Sequence, residues 1–404
     1  MQPFQEFEVI ISTKFKALLS AVLLSSAGAV AAEESKDLAP EATASQAELS
    51  FRDIPLLENA FIDTAPADRN DGVLVGELGV DGGSKDGIVM LAREIANGQH
   101  GNYDSLLIAH KGKLLFESYY LRGRINLAHP QASATKAHTS LILGRAIQLG
   151  HLTMTDLDRP LIDFLPDLDR TNLAEGADKI TLHKALTMHG GLSVSEEKWE
   201  ELQENPAQLQ GQGLVQALLE HTGPITEETQ TYLYGNFNPI LVMAVIDAVV
   251  PGTAEEFIKN EVLGKLGITN YSWSTHISGL PQAGWMVSMT SRDMLSWGSV
   301  VLNEGEWNGE QFVHADYLAK ATSRLVKPAE EDWMPDSYRY GYFYYQTPIE
   351  VGEKSYDATF AWGGGGQRVI IVDELELTIV ITGHDGDDKI MTQISNTVIP
   401  AFAE

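Results

Sequence analysis

Ser133 and Lys136, in the stretch HPQASATKAHTSLILGRAIQLG, stand three residues apart at the head of a run with helical apolar spacing. That spacing puts both side chains on one face of a helix, one turn apart, close enough for the amine to reach the hydroxyl. Two chemistries fit. Ser133 caps the helix and Lys136 is a surface lysine, or Ser133 is a nucleophile with Lys136 as its base and the helix N-terminus favouring charge on its oxygen. The same S-x-x-K pattern recurs at Ser195 to Lys198, but there Glu196, Glu197, Glu200 and Glu201 crowd it. A lysine in a solvated acidic surface stays protonated and paired, so this copy reads as coincidence.

Two further stretches bear on Ser133. Tyr234-Gly235-Asn236, the only Y-x-N in the chain, falls just before a long apolar helix. A tyrosine there is either a buried aromatic with a satisfied hydroxyl or a phenol set against the lysine, in which case its pKa is expected to fall and it can shuttle a proton. FAWGGGGQRVIIVD places Gly363 to Gly366 at what reads as the opening of an apolar strand. Such a run marks a close backbone approach whose free N–H groups can hold a developing oxyanion, or else a hinge or bulge.

These residues need a frame to bring them together. SLLIAHKGKLLFESYY predicts two antiparallel strands around a Lys111-Gly112 turn. Leu141, Ile142, Ala146, Ile147 and Leu149 predict a helix stopped by Gly150. ITLHKALTMHGGL and PILVMAVIDAVVPG predict two more, and MTSRDMLSWGSVVLNEG a fourth capped by Thr290 or Ser291. Strands return in YGYFYYQ, QRVIIVD and LTIVITGHDG. The pattern predicts an α+β fold. Its antiparallel sheet is built from both ends of the chain, about 101–125 and 337–404, with a helical insertion over about 130–336 and the active cleft between them. Residues 32–70 read as a linker or surface arm, and 71–404 as one catalytic domain.

The order S-x-x-K, Y-x-N, glycine-rich strand resembles the serine β-lactamase-like and penicillin-binding-protein superfamily over about residues 101–401. It is most similar to the branch of β-lactamase-fold carboxylesterases and 6-aminohexanoate-dimer hydrolases, with FLPDL and MTSRDMLSWGSVVLNEGEWNG in support. The resemblance implies a β-lactamase/transpeptidase-like fold. It makes Ser133 the acylated nucleophile, Lys136 its proton acceptor, Tyr234 the group that passes the proton to the leaving group, and Asn236 the residue that orients them. It implies an oxyanion hole from the N–H groups of Ser133 and of Gly365, or Gly364 if the alignment slips by one. Where β-lactamases carry Lys-Thr-Gly this chain has Trp362-Gly363-Gly364. The strand therefore lacks a cation for a substrate carboxylate, and Trp362 and Gly363 are expected to line a pocket for an apolar acyl or alcohol group. The implied activity is hydrolysis of a carboxylic ester or small linear amide. The alternatives are a β-lactamase or D-alanyl carboxypeptidase, and a catalytically idle penicillin-recognising protein.

Composition narrows the partners. Lys and Arg number 28 against 56 Asp and Glu, a formal charge of −28, which opposes binding to nucleic acid and anionic membranes. The absence of cysteine removes thiolate chemistry and disulfides. Lys14, Lys16, the apolar run from Ala17 and the Ala29-x-Ala31 end predict a leader at 1–31 and export to the periplasm or medium, although Glu6 and Glu8 are atypical of one. No later segment is apolar enough to span a membrane. His110, His129, His138, His183 and His189 lack metal-ligand spacing and read as satisfied structural residues. HDGDD at 384–388 reads as an acidic turn rather than a calcium loop, so neither metal nor cofactor is expected. G-x-S-x-G does not occur, which argues against an ordinary α/β-hydrolase.

Overall fold

The computed structural model describes residues 38–328, 334–384 and 389–403. The leader expected at 1–31 and residues 385–388 of the acidic turn lie outside the described residues. Residues 39–404 form one compact unit. The predicted hairpin is strands β2 (Tyr103–His110) and β3 (Lys113–Tyr119), preceded by a short β1 (Phe61–Asp63). Lys111 (φ 50°) and Gly112 (φ 74°) both take left-handed backbone, which matches the twist of a two-residue hairpin. The C-terminal part of the chain adds β4 (Arg339–Tyr340), β5 (Tyr345–Val351), β6 (Lys354–Gly363), β7 (Gln367–Val372) and β8 (Leu377–Gly383). Together they make an eight-stranded sheet in the order β1-β3-β2-β8-β7-β6-β5-β4, each pair antiparallel. The two ends of the chain meet where Ile108 of β2 pairs with Ile379 of β8, as expected of the α+β reading.

Every residue of β2, β7 and β8 is buried. Successive side chains on a strand point to opposite faces, so both faces of the sheet centre are covered. Helix α1 (Lys85–Ala96) packs with the C-terminal helical segment Ile390–Phe402. Helices α2 (Thr135–Gln148) and α3 (Phe237–Val249) pack on each other in the helical region, and α4 (Ser291–Leu302) crosses β7 and β8. Thr290 caps α4 in a capping box with Asp293. Arg292, in the first turn of α4, forks onto Glu117 of β3 at 2.8 and 2.7 Å. Tyr119 donates to the same carboxylate at 2.7 Å, so this buried charge is compensated by a bidentate partner and a third donor.

Two details differ from the sequence reading. The glycines do not open a strand within the sheet: Gly363 ends β6 and Gly364 to Gly366 form the hairpin turn into β7. The described part of the arm is also built into the unit. Besides the pairing of β1 with β3, Leu57 N–H donates to Leu121 O at 2.7 Å, Arg124 donates to Pro55 O at 2.8 Å, and Ile125 N–H donates to Pro40 O at 3.0 Å.

Candidate active site

Ser133 sits in a tight 3₁₀ turn, Ala132–Ala134, that runs into α2. Ala132 is held at φ 45°, a conformation that strains a residue with a side chain and that turns the chain just before the serine. The segment is anchored from one side. His129–Pro130 pairs with Val287–Met289, and Gln131 N–H donates to Val287 O at 2.7 Å. Ser133 does not cap the helix. The cap position is Ala134, without a side-chain bond to the backbone. Ser133 Oγ instead meets Lys136 Nζ at 3.2 Å and hydrogen-bonds with the Tyr234 phenol. Ser195 shows the opposite outcome for the same motif: its Oγ caps a helix by accepting from Lys198 N–H at 3.2 Å, and Lys198 Nζ turns outward to Glu201 at 2.9 Å.

Burial separates the two lysines. Lys136 is 2% exposed. Its Nζ donates to Asn236 Oδ1 at 2.9 Å and to Gly284 O at 3.0 Å, and no carboxylate pairs with it among the described residues. Taken out of water with only neutral acceptors around it, the ammonium is disfavoured and the pKa falls to about 7. An amine of that kind can take a proton from a serine hydroxyl near neutral pH.

Gly284 is a member of this site that no sequence motif announced. A β-carbon there would stand 2.7 Å from Asn236 Oδ1 and 3.4 Å from Lys136 Nζ. Gly284→Ala is therefore expected to displace the Asn236 amide and loosen the lysine. A misplacement on the order of 1 Å costs up to about 100-fold in turnover, so kcat should fall about 10- to 100-fold while the melting temperature changes little. An unaltered kcat would remove Asn236 and Gly284 from the set that positions the amine.

Tyr234 precedes α3 and is largely buried. Lys136 Nζ lies over its ring, 4.8 Å from the centroid. The expected depression of its pKa does not occur. Desolvation raises the phenol, and hydrogen bonds with Ser133 and Tyr345 offset this only in part, so it stays protonated while the lysine ionises near neutrality. Tyr345 on β5 and Asn236 at the head of α3 are thus joined to the serine through Tyr234 and Lys136.

The glycine turn approaches from the sheet. A β-carbon on Gly363 would lie 2.1 Å from Gln131 O, so only glycine lets the end of β6 close onto the segment that carries Ser133. Gly364 faces open space, and Gly365 (φ 86°) turns toward Gly383 and His384. Trp362 belongs to an aromatic layer. It packs against Tyr345, Tyr338 and Phe360 at centroid distances of 5.3, 5.9 and 6.3 Å, with Arg368 4.3 Å from its ring. The apolar cavity at Tyr234 and Asn236, about 620 Å³, is walled instead by Leu192, Trp199, Phe237 and Trp285. Neither Trp362 nor Gly363 lines it, Trp362 being held against Tyr345, Tyr338 and Phe360.

The histidines divide. His183 meets Tyr342 Oη at 2.7 Å and His189 meets Thr187 O at 2.6 Å, while His110 makes one long contact with Asp81 O at 3.4 Å. His138 is not satisfied as expected: it is buried against Trp297 at 4.4 Å, its Nε2 has no partner, and burial lowers its pKa to about 3. His129 joins His384 on the buried carboxylate of Asp104, at 3.0 and 2.8 Å. These three residues come from distant parts of the chain, so spacing alone carried no sign of them. No group of His, Asp and Glu among the described residues has an arrangement that could hold a metal ion.

The family model described as Beta-lactamase matches residues 92–389. Among curated proteins none matches the chain by sequence. Solved structures share the fold at low identity. A D-stereospecific amidohydrolase from Streptomyces sp. is 16% identical, covering 79% of this chain and 99% of its own, with a TM-score of 0.58. A class C β-lactamase from Rhodobacter sphaeroides is 15% identical, covering 78% and 100%, with a TM-score of 0.56. A protein from Bacillus anthracis, provisionally described as a 6-aminohexanoate-dimer hydrolase, is 19% identical over 76% of this chain and 80% of its own, with a TM-score of 0.55.

Proposed function

This chain belongs to the β-lactamase family, and on that premise we propose that it is a serine hydrolase that cleaves a carboxylic ester or small linear amide through an acyl-enzyme on Ser133. The observation that carries the reading is Lys136, buried without a counter-ion among the described residues and in contact with Ser133 Oγ. A structural lysine gains nothing from such a place, since burying its charge is costly; a base gains a pKa near the working pH.

In this reading Ser133 Oγ attacks the substrate carbonyl carbon as its proton passes to the neutral Lys136 amine. The tetrahedral oxyanion rests on the N–H of Ser133 and one N–H of the Gly364-Gly365 turn. Tyr234, protonated and hydrogen-bonded to Ser133, hands its proton to the leaving group and recovers one from Lys136. Departure of that group leaves the acyl-enzyme. Water then attacks it with the same amine as base, and Ser133 leaves as the hydroxyl. The leader-like stretch at 1–31 supports export. The strand without a cation at Trp362 favours esters and linear amides over β-lactams.

Release of nitrophenol from a short-chain p-nitrophenyl ester tests the reading. No release, together with covalent labelling of Ser133 by a fluorescent penicillin, would replace it with the β-lactamase or carboxypeptidase reading. No release and no labelling would leave an idle binding protein. The pH profile adds a second check. Lys136 must be neutral to accept a proton, and its pKa is about 7. Ester kcat/KM should therefore rise about tenfold per pH unit below pH 7 and level off above about pH 8, with no fall caused by the raised tyrosine. A flat profile through pH 7 would exclude Lys136 as the base.

A further inference from the structure

A second cavity, of about 580 Å³, opens on the other side of the nucleophile turn. Ala132, the residue before Ser133, lines it with Gly364 and Gly365, so it borders the catalytic backbone as closely as the apolar cavity borders Tyr234. Its opposite wall has a different chemistry. Arg52 and Phe51 reach it from the N-terminal arm, Arg122 from the end of β3, and His384 from the end of β8.

The polar groups of that wall form a connected set around one buried carboxylate. Asp104 Oδ1 accepts the N–H of Arg122 at 2.8 Å. Its Oδ2 accepts from His129 at 3.0 Å and from His384 at 2.8 Å. Burial alone would raise this acid, but the hydrogen bonds from the two histidines hold its pKa below the ordinary value. Asp104 is thus ionised and fully used by donors beneath the cavity floor. The arginines are not used in the same way. Arg122 Nη1 touches only the ring nitrogen of His384, at 3.0 Å, and its Nε is buried without a partner. Neither Arg122 nor Arg52 forms an ion pair among the described residues, and both line the cavity with no carboxylate beside them in its lining. In a chain with a formal charge of −28 this is a local excess of positive charge with donors to spare.

We propose that this cavity is a carboxylate subsite, in which Arg122, seconded by Arg52, holds an anionic group of the substrate while an apolar remainder fills the cavity at Tyr234 and Trp285. The proposal rests on the hydrolase reading above and names its substrate class: an ester or amide that joins an apolar group to a short carboxylate-bearing one. It also gives the arm a task. Its Phe51 ring lies 4.3 Å from His129 and 6.1 Å from His384, so the arm closes the outer wall of the subsite. The guanidinium that grips the carboxylate then comes from the end of β3 rather than from the glycine strand.

The test uses two matched pairs of esters: 4-carboxyphenyl hexanoate against its methyl ester, and mono-4-methylphenyl adipate against 4-methylphenyl hexanoate. They put the charge on the leaving group and on the acyl group respectively. In one pair the wild type should favour the anion by about tenfold or more in kcat/KM, through KM, as expected for a charge-assisted hydrogen bond. Arg122→Gln should erase that ratio, and Arg52→Gln, on an exposed residue, should lower it by a smaller factor. Binding is read separately by calorimetry with 4-hexyloxybenzoate, which cannot be hydrolysed and should lose about tenfold in affinity in Arg122→Gln. Turnover of neutral esters with no anion preference in either pair and no Arg122-dependent binding would overturn the subsite and leave the hydrolase standing. Arg122-dependent binding without turnover of any ester would do the reverse.

Discussion

Ser133→Ala will lower ester turnover by about 10³-fold or more and leave the protein folded, because the variant removes the atom proposed to be acylated and little else. Ser133 is only half-buried, and its hydroxyl gives up hydrogen bonds with Lys136 and Tyr234. One such bond is worth about 1 kcal/mol, a small part of a typical domain's stability. The helix loses no cap, since Ser133 does not serve as one. The measurement is nitrophenol release beside a thermal melt, with mass spectrometry of the wild type for an acyl adduct at Ser133. Turnover near the wild-type rate in a folded alanine variant would move the nucleophile elsewhere, and the candidates among the remaining serines would have to be sought away from Lys136.

Lys136→Met should lose about as much activity as the serine variant, since a serine hydroxyl without its base is a poor nucleophile and groups acting as a unit fail together. It also carries a signature that a merely structural lysine would not. The folded pKa is about 7 against 10.5 for a free lysine. Between those values the unfolded chain binds one proton more than the folded one, so the stability of the wild type rises with pH there. The slope from this one group is at most about 1.4 kcal/mol per pH unit. Methionine has no such slope. The stability of Lys136→Met relative to wild type should therefore be greatest below pH 7 and shrink as the pH climbs toward 10. Asn236 Oδ1 and Gly284 O lose a donor in the variant at every pH, which shifts the difference without changing its slope. A difference independent of pH would mean that Lys136 is charged in the folded protein and is not the base.

Much of the frame was legible in the sequence because local pattern and final structure agree there. The Lys111-Gly112 turn, the alternation around it and the apolar periodicity of α2 and α3 depend on neighbours within one element, and they form where they were expected. The glycine run was misread locally for a physical reason. Four glycines next to QRVIIVD signal a close approach but not whether they begin a strand or join two, and β6 lies in KSYDATFAWG, whose polar start hides its register. The arm was misread likewise: nothing local in Phe61–Asp63 says that an edge of the sheet awaits it.

At the site, the sequence by itself determined which groups are available and their order along the chain: a serine and lysine one turn apart, a tyrosine and asparagine before an apolar helix, and glycines at a strand end. It could not decide their ionisation. Of the two readings open for Tyr234, a buried phenol or one acidified against an ammonium, the second fails: burial raises the phenol and discharges the lysine, since desolvation depends on everything packed around a group and not on its neighbours in sequence. Ser195 and Lys198 make the same point, with identical spacing and far less burial. Only the tertiary structure brought Gly284 to the amine, took Trp362 into the aromatic layer, and gathered Asp104, Arg122, His129 and His384 beneath a second cavity. Contacts across 25 and 280 residues of chain leave no periodic trace in a sequence, and the longer one exists because the sheet pairs the early strand β2 with the last strand, β8.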